Sequence, residues 1–262
     1  MCLRASVGHR GHNFKFDVVT VKALLNSAWR LRGSDDLKLT GRCDAATIAR
    51  IRFFQERYLH QQDVTRRIEP RSRELQRLHR MMPRELDADK LQAIMPNASS
   101  AAIGRYYKHL VTEMALRAIN TPLRRAHFLA QLAQESGSFR YAEELASGED
   151  YEGRKNLGNT EKGDGKRFKG RGLIQLTGRA NYVDFGSSIG RDLTKDGAWT
   201  EVATDPVLAV KASGWFWQTK GLNDIADTDD VYAITRIVNG KKMLHLEERM
   251  MFLRRARFFL FA

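Results

Sequence analysis

Cysteine and proline are scarce in this chain, with two and five residues respectively, and the cysteines stand too far apart to make a framework. Cys2 lies near the terminus and Cys43 just before an expected helix. That excludes a disulfide scaffold and a Cys/His metal site, and implies two free thiols in a reducing compartment. Long apolar runs are also missing: none approaches the roughly 18 residues of a membrane span. The opening stretch MCLRASVGHRGHNF has no apolar segment of the length a secretory signal needs, so export by the general route is not expected. GDGKRFKGRG lacks the Lys-Ser/Thr ending of a phosphate loop, and nothing else points to a nucleotide, metal or other cofactor. Acids are the remaining shortage, with 31 Asp and Glu against 44 Lys and Arg.

The resulting net charge of +13 is unevenly spread. Residues 1–85 hold 18 basic and 9 acidic residues, a net of +9, which leaves 26 against 22, or +4, for the other 177 residues. Such an excess draws polyanions through salt-sensitive, long-range attraction, and the candidates are nucleic acid, anionic lipid and an acidic cell wall. Hydrophobic content of 42% with 29% charged residues is ordinary for a globular protein, and 262 residues are enough for two domains.

Helical periodicity organises the chain. Val18, Val21, Leu25 and Ala28 recur at helical spacing in residues 17–29, with Asp17 as the expected N-cap. Ile48, Ile51, Phe54 and Tyr58 form a stripe in residues 44–59 behind Asp44, and residues 72–80 supply Leu75 and Leu78. These three segments predict a small three-helix domain over residues 1–80. Residues 81–90 change composition around Pro83 and are read as a linker. A second, mainly helical domain is expected over 91–262, beginning with helices at 99–119 and 121–135, the latter with Thr121 as N-cap and Pro122 at the first helical position. Residues 145–170, rich in Gly, Asn, Asp and Lys, predict an irregular or short β excursion. Helical patterns return at 180–190, 205–221, 230–240 and 246–262.

The chemistry concentrates in AQESGSFRYAEEL, residues 133–145. Glu135 closes an apolar helix bearing Phe128, Leu129 and Leu132. The helix end presents partial negative charge and the apolar neighbours withhold water, and both favour a proton on the acid. Ser-Gly-Ser then permits a sharp turn that can bring Glu143 or Glu144 back towards it. Two carboxyl groups so placed suit general acid and general base work at a glycosidic bond; they would equally suit a solvated helix end.

Three segments together, HFLAQLAQESGSF, GDGKRFKGRGLIQLTGRANY (163–182) and RIVNG (236–240), resemble the chitinase-like lysozymes of glycoside hydrolase family 19, and more narrowly modular bacteriophage endolysins. The likeness runs from about Leu91 to the C terminus, with GRGLIQLTGRANY its most specific element. It implies a lysozyme-like helical catalytic domain with a small irregular/β excursion, without cofactor or metal. It implies Glu135 as general acid, Glu144 as general base, and Thr177 as the hydroxyl that helps position the attacking water. Gln175, Asn181 and Tyr182 would bind the sugar, and Asn239 and Arg249 would line the cleft, tuning the second carboxylate. Gln175 and Asn181 would also suit turn backbone, Asn239 a helix C-cap and Arg249 a surface helix. The chain departs from the family at Gln134, where histidine is usual, and at Lys241, where glycine is. Glu152 and Glu143 compete for the base, and rank second and third after Glu144.

VGHRGHNFKFDVVTVKALLN, RFFQERYL and RRIEPRSRELQRL have the order of a peptidoglycan-binding module. The two resemblances together imply a muramidase-type, bacteriolytic hydrolase. It would be a monomer with peptidoglycan as its partner, neither bound to nucleic acid nor stably inserted in a membrane. It would be held in a host cytoplasm and released to the periplasm and wall at lysis. Chitin hydrolysis and a non-catalytic wall- or nucleic-acid-binding module are the alternatives. Trp199, Trp215, Phe216 and Trp217 are read as core, because adjacent aromatics cannot all face one cleft. LRRARFFLFA at the C terminus is expected to dock on the core rather than disturb a membrane.

Overall fold

The computed structural model describes residues 3–28 and 36–261; Cys2, and Trp29 at the end of the expected first helix, lie outside the described residues. Helices dominate, as expected. The chain divides into two compact units, Met1–Ser100 with Leu253–Ala262, and Ala101–Phe252. None of the helices among the described residues is long and apolar enough to cross a membrane.

In the first unit, β1 (Val7–Gly8) pairs antiparallel with β2 (Arg67–Ile68). Helix α1 (Lys15–Ser27) starts two residues before the expected cap, behind Phe14. Asp17 caps nothing: it is buried in the first turn, where its carboxylate accepts the N–H groups of Arg4 at 3.1 Å and Ala5 at 2.8 Å. The acid therefore ties the N-terminal segment to α1. Asp44 does cap α2 (Ala45–Tyr58), accepting the backbone N–H of Thr47 at 2.9 Å and its hydroxyl at 2.6 Å. The Thr47 hydroxyl leads the causes that hold its carboxyl down at about 2, and the buried Lys22 ammonium, 3.0 Å away, adds to them. Ser72 caps α3 (Arg73–Arg80), which buries Leu75 and Leu78 as the spacing predicts. Cys43 is a half-buried free thiol, pushed up chiefly by burial.

The boundary expected at 81–90 lies elsewhere, because the chain stays in the first unit through Ser100. Asp87 caps a helix absent from the sequence expectations, α4 (Ala88–Ile94), by accepting the Lys90 N–H at 2.8 Å. Leu91, Ala93 and Ile94 are fully buried as α4 packs on α1. Lys90 is buried too, its ammonium donating to the Pro83 carbonyl. Pro83 thus marks a turn and not a separation, and among the described residues the unit holds α1 to α4, the strand pair and the end of α13 (Leu246–Leu260).

The second unit is built from α5 (Ser100–Leu116), α6 (Pro122–Glu135), α7 (Asp164–Arg167), α8 (Arg179–Ser188), α9 (Glu201–Thr204), α10 (Pro206–Thr219), α11 (Leu222–Asp227), α12 (Val231–Asn239) and the start of α13 (Leu246–Leu260). Helix α6 matches its sequence signals: Thr121 accepts the Arg124 N–H at 3.1 Å and Pro122 occupies the first turn. It packs against α11 and α12 with its apolar face fully buried. The aromatics of residues 199–217 are core or packed on it. Trp217 is buried edge-on to Phe128 at 5.2 Å, while Trp199 meets Phe168 at 5.9 Å.

The basic C-terminal stretch is structural. Leu253, Ala256, Phe259 and Leu260 are buried in the first unit. Arg255, only 6% exposed, donates from Nε to the Ala93 carbonyl at 2.8 Å and from Nη2 to the Thr20 hydroxyl at 3.0 Å. A positive charge in this setting is secured by hydrogen bonds to neutral oxygens. Replacing Arg255 with Ala strands both acceptors and leaves a cavity, so it should lower stability by about 2–4 kcal/mol. Chemical denaturation of the full chain measures this, and an unchanged midpoint would contradict the role assigned to Arg255.

Candidate active site

Glu135 is the last residue of α6, and the chain reverses immediately after it. Ser136 closes the helix: its N–H and its hydroxyl both donate to the Leu132 carbonyl, at 3.0 and 2.6 Å, and the hydroxyl accepts the Phe139 N–H at 2.9 Å. Gly137, Ser138 and Phe139 follow with φ of 55°, 60° and 65°. Left-handed backbone at a non-glycine residue is costly. Here it is offset by burial of Phe139, whose ring packs on Tyr106 at 5.3 Å. The turn expected from Ser-Gly-Ser therefore exists, anchored by an aromatic residue.

The side chain of Glu135 is 14% exposed and receives Nη2 of Arg249 at 2.5 Å. Arg249 is fully buried, with Nη1 donating to Gln131 Oε1 and Nε to the Leu244 carbonyl at 3.3 Å. Gln131 lies one helical turn before Glu135, so one planar guanidinium spans both side chains on the same face of α6. Gln131 in turn donates to the hydroxyl of buried Thr235 on α12 at 3.2 Å. Arg249 was expected beside the second carboxylate; the structure pairs it with the first. Proximity in space, not distance along the chain, decides which acid a guanidinium meets.

Glu144 sits on the irregular excursion. Its backbone N–H donates to the Gly170 carbonyl at 2.9 Å, while Gly170 N–H donates back to Oε2 at 3.1 Å and the Tyr151 hydroxyl donates to Oε1 at 3.0 Å. Burial, followed by the hydrogen bond to Glu144, pushes the Tyr151 phenol up to about 12. The ammonium of Lys169 pins the loop by donating to the carbonyls of Glu144 at 3.0 Å and Ala146 at 3.2 Å. Gly170 is the point on which the cluster converges. A Cβ there would lie 2.7 Å from Gln175 Oε1, 3.2 Å from Glu144 Oε2 and 3.4 Å from the Thr177 hydroxyl. Gln175 itself is left-handed, with φ of 59°, and its Nε2 donates to the Gly172 carbonyl at 3.1 Å. Three of the site residues named from sequence, Glu144, Gln175 and Thr177, thus surround one small space.

The competing acids are engaged elsewhere. Glu143 accepts both Nε and Nη2 of buried Arg171 at 3.0 Å, with Lys169 at 3.4 Å. Isolated β-bridges join Glu143 to Arg171 and Arg171 to Leu176, and they are the extended pairing in this excursion. Glu152 closes the loop ahead of α7, accepting the N–H groups of Gly163 at 2.6 Å and Gly165 at 2.8 Å. The Gly163 N–H, ahead of the Gly165 N–H, holds its carboxyl below the ordinary range.

Tyr182 is not on the site surface. It is fully buried in the core around Phe168 and Phe185, where burial pushes its phenol up to about 12. Its hydroxyl donates to the Lys169 carbonyl at 3.0 Å and accepts from Arg171 at 3.3 Å, so it supports the segment from behind. Helical phase explains this, since Tyr182 points to the side of α8 that carries Phe185. Asn181 donates from Nδ2 to the Thr177 carbonyl at 2.7 Å, holding that turn. Asn239 ends α12, and its Oδ1 accepts the Leu244 N–H at 2.6 Å, bracing the loop whose Leu244 carbonyl receives Arg249. Gln131, Tyr151, Gly170 and Arg171 went unnamed in the sequence. Gln131, an amide four residues before the acid, and Gly170 and Arg171, at the head of GRGLIQLTGRANY, lay within the quoted motifs, whereas Tyr151 left no signal. Among the described residues no group of His, Cys, Asp and Glu is arranged to hold a metal ion.

Part of the chain is similar to known proteins. The glycoside hydrolase family 19 model, described as chitinase class I, matches residues 127–237, which include Glu135, Glu144, Gly170 and Thr177. A glycosyl hydrolase family 19 domain-containing protein of Haemophilus influenzae is 28% identical, with 53% of this chain and 82% of that protein aligned. An endochitinase of Arabidopsis thaliana is 37% identical over 44% of this chain and 38% of its own length. The chain thus spans about two fifths of that plant relative. Chitinase C from Streptomyces griseus HUT6037 superposes with a TM-score of 0.54 at 20% identity, covering 67% of this chain and 92% of that one, which establishes the shared fold. The protein is a glycoside hydrolase. Its likeness to family 19, of the chitinase-like kind, lies in residues 127–237.

Gly170 gives this geometry a direct check. Gly170→Ala adds a methyl where Gln175 and Glu144 already stand, and should reduce glycan hydrolysis roughly 100-fold while the thermal midpoint stays within a few degrees. Turnover measured beside a circular-dichroism melt tests it, and full activity would show that the cluster around Gly170 is not the reacting centre.

Proposed function

We propose that the protein is a peptidoglycan hydrolase that cuts the β-1,4 bond between N-acetylmuramic acid and N-acetylglucosamine by single displacement with inversion. Glu135 is the general acid and Glu144 the general base, and the observation that carries this reading is how differently the two are held. Glu135 is nearly buried beside the Arg249 guanidinium. When its proton passes to the bridging oxygen, the carboxylate left behind is met by a fixed positive charge, so the charge that develops in the transition state is stabilised without reorganisation. Glu144 is oriented by neutral donors, Tyr151 and Gly170. Its free lone pairs take the proton from water, and the Thr177 hydroxyl, beside it, helps place that water. In an inverting enzyme the two carboxyl groups stand about 6.5–9.5 Å apart to admit the water. Gln175 and the Oδ1 of Asn181 are the amide groups offered to the sugar.

The first unit is the wall-binding module in this reading. Its excess of positive charge suits an anionic wall, and binding should weaken as salt screens it. The biological setting that fits is bacteriophage lysis, with the enzyme held in the host cytoplasm and then released to the periplasm and wall. Chitin hydrolysis is the second reading, favoured by the plant relatives described as endochitinases.

Wild type and Glu135→Gln should differ by about 100- to 10,000-fold in clearing purified sacculi, the range that removing a general acid typically costs. Equal clearing would remove Glu135 from the chemistry and favour a non-catalytic wall-binding protein. Mass spectrometry of fragments released in heavy-oxygen water should show the label at new muramic acid reducing ends, with colloidal chitin untouched. Label on chitin oligomers alone would establish the second reading. Sedimentation of the full chain with sacculi should fall steeply between about 50 and 200 mM salt, within a few Debye lengths of full screening; salt-independent binding would discard charge as the targeting force.

A further inference from the structure

The excursion over residues 145–170 carries few apolar anchors, yet it is rigidly braced. Buried Asn159 donates to the Tyr151 carbonyl at 2.8 Å and accepts the Arg179 N–H at 2.8 Å. Arg179 grips buried Asp164 through Nε at 2.8 Å and Nη2 at 2.7 Å, and Glu161 at 2.5 Å. The Arg154 guanidinium lies 5.7 Å from the centre of the Tyr151 ring. This polar frame leads to the Tyr151 hydroxyl on Glu144 Oε1.

We infer that Tyr151 is a positioning residue for the reaction: it fixes the rotation of the Glu144 carboxylate so that the lone pairs left by Tyr151 and Gly170 face the attacking water. The inference rests on Glu144 being the base. Two donors, one on each oxygen, lock a carboxylate plane that one donor leaves free to rotate about its terminal torsion. The Gly170 N–H belongs to the backbone, so the Tyr151 hydroxyl is the one donor that side-chain chemistry can remove. The phenol, up at about 12, keeps its proton throughout the neutral range and is always a donor. Asn159 and Arg179 hold the Tyr151 backbone, which explains why so long a loop carries buried charge so close to the site.

The test is Tyr151→Phe, which removes the oxygen and keeps the ring. A hydrogen bond to a charged group is worth a factor of about 10–100, so kcat should fall by that factor while KM changes less than about twofold. The other charged groups near Glu144 are Lys169, whose ammonium sits on the Glu144 carbonyl, and the Glu143–Arg171 pair, and this variant alters none of them. Tyr151→His, which restores a ring donor, should recover part of the rate. Wild-type kcat in Y151F would overturn the inference. So would a loss of activity that tracks a lowered melting midpoint and is not recovered in part by Tyr151→His. Glu144→Gln separates the two levels: if it keeps full activity, the base assignment itself fails, whereas an inactive E144Q beside a fully active Y151F removes only the role of Tyr151.

Discussion

A guanidinium with almost no access to water, Arg249, is fixed between Gln131 and Glu135 on one face of α6, and much of the second unit is arranged to keep it there. A buried charge is tolerated only when it is paired and its donors are satisfied. Arg249 meets that demand with a carboxylate, an amide oxygen and a backbone carbonyl supplied by α6 and by the loop before α13. Asn239 braces that loop and Thr235 fixes the amide of Gln131. The acid at the end of α6 is thereby held in a single orientation at a place where the helix dipole alone would repel it.

The opposite half of the site obeys a different economy. Around Glu144 the donors are neutral, and the charges of the excursion are paired with one another: Arg171 with Glu143, Arg179 with Asp164 and Glu161. A loop with little apolar surface cannot be stabilised by burial, so directional bonds stand in for it. The same bonds explain why two of the three carboxylates that compete for the base are engaged. Glu143 and Glu152 are spent on holding the loop in shape, which leaves Glu144 with oxygens turned towards Gln175 and Thr177.

Much of the fold was legible from local signals. Helix α6 could be drawn residue by residue from Thr121, Pro122 and the apolar stripe, and Asp44, Ser72, Asp205 and Asp230 stand where capping logic puts a helix start. The failures share a cause. Asp17 has the chemistry of a cap but binds the backbone of Arg4 and Ala5. Residues 81–90 have the composition of a linker but lie against α1 through α4. Tyr182 belongs to the most specific motif in the chain, yet its helical phase turns it into the core.

What the sequence alone determined was local. It contains the helix limits written in caps and periodicity, the charge imbalance, the turn after Glu135 and the residue types that glycosidic chemistry requires. Those properties depend on neighbours a few residues away, which any reader of the chain can see. Tertiary structure decided the partnerships: Arg249 with Glu135 across 114 residues, Glu144 with Gly170 across 26, and Arg255 with Ala93 across 162. A carboxylate accepts from whichever donor the fold delivers within about 3 Å, and that delivery is a property of packing, which no local pattern encodes.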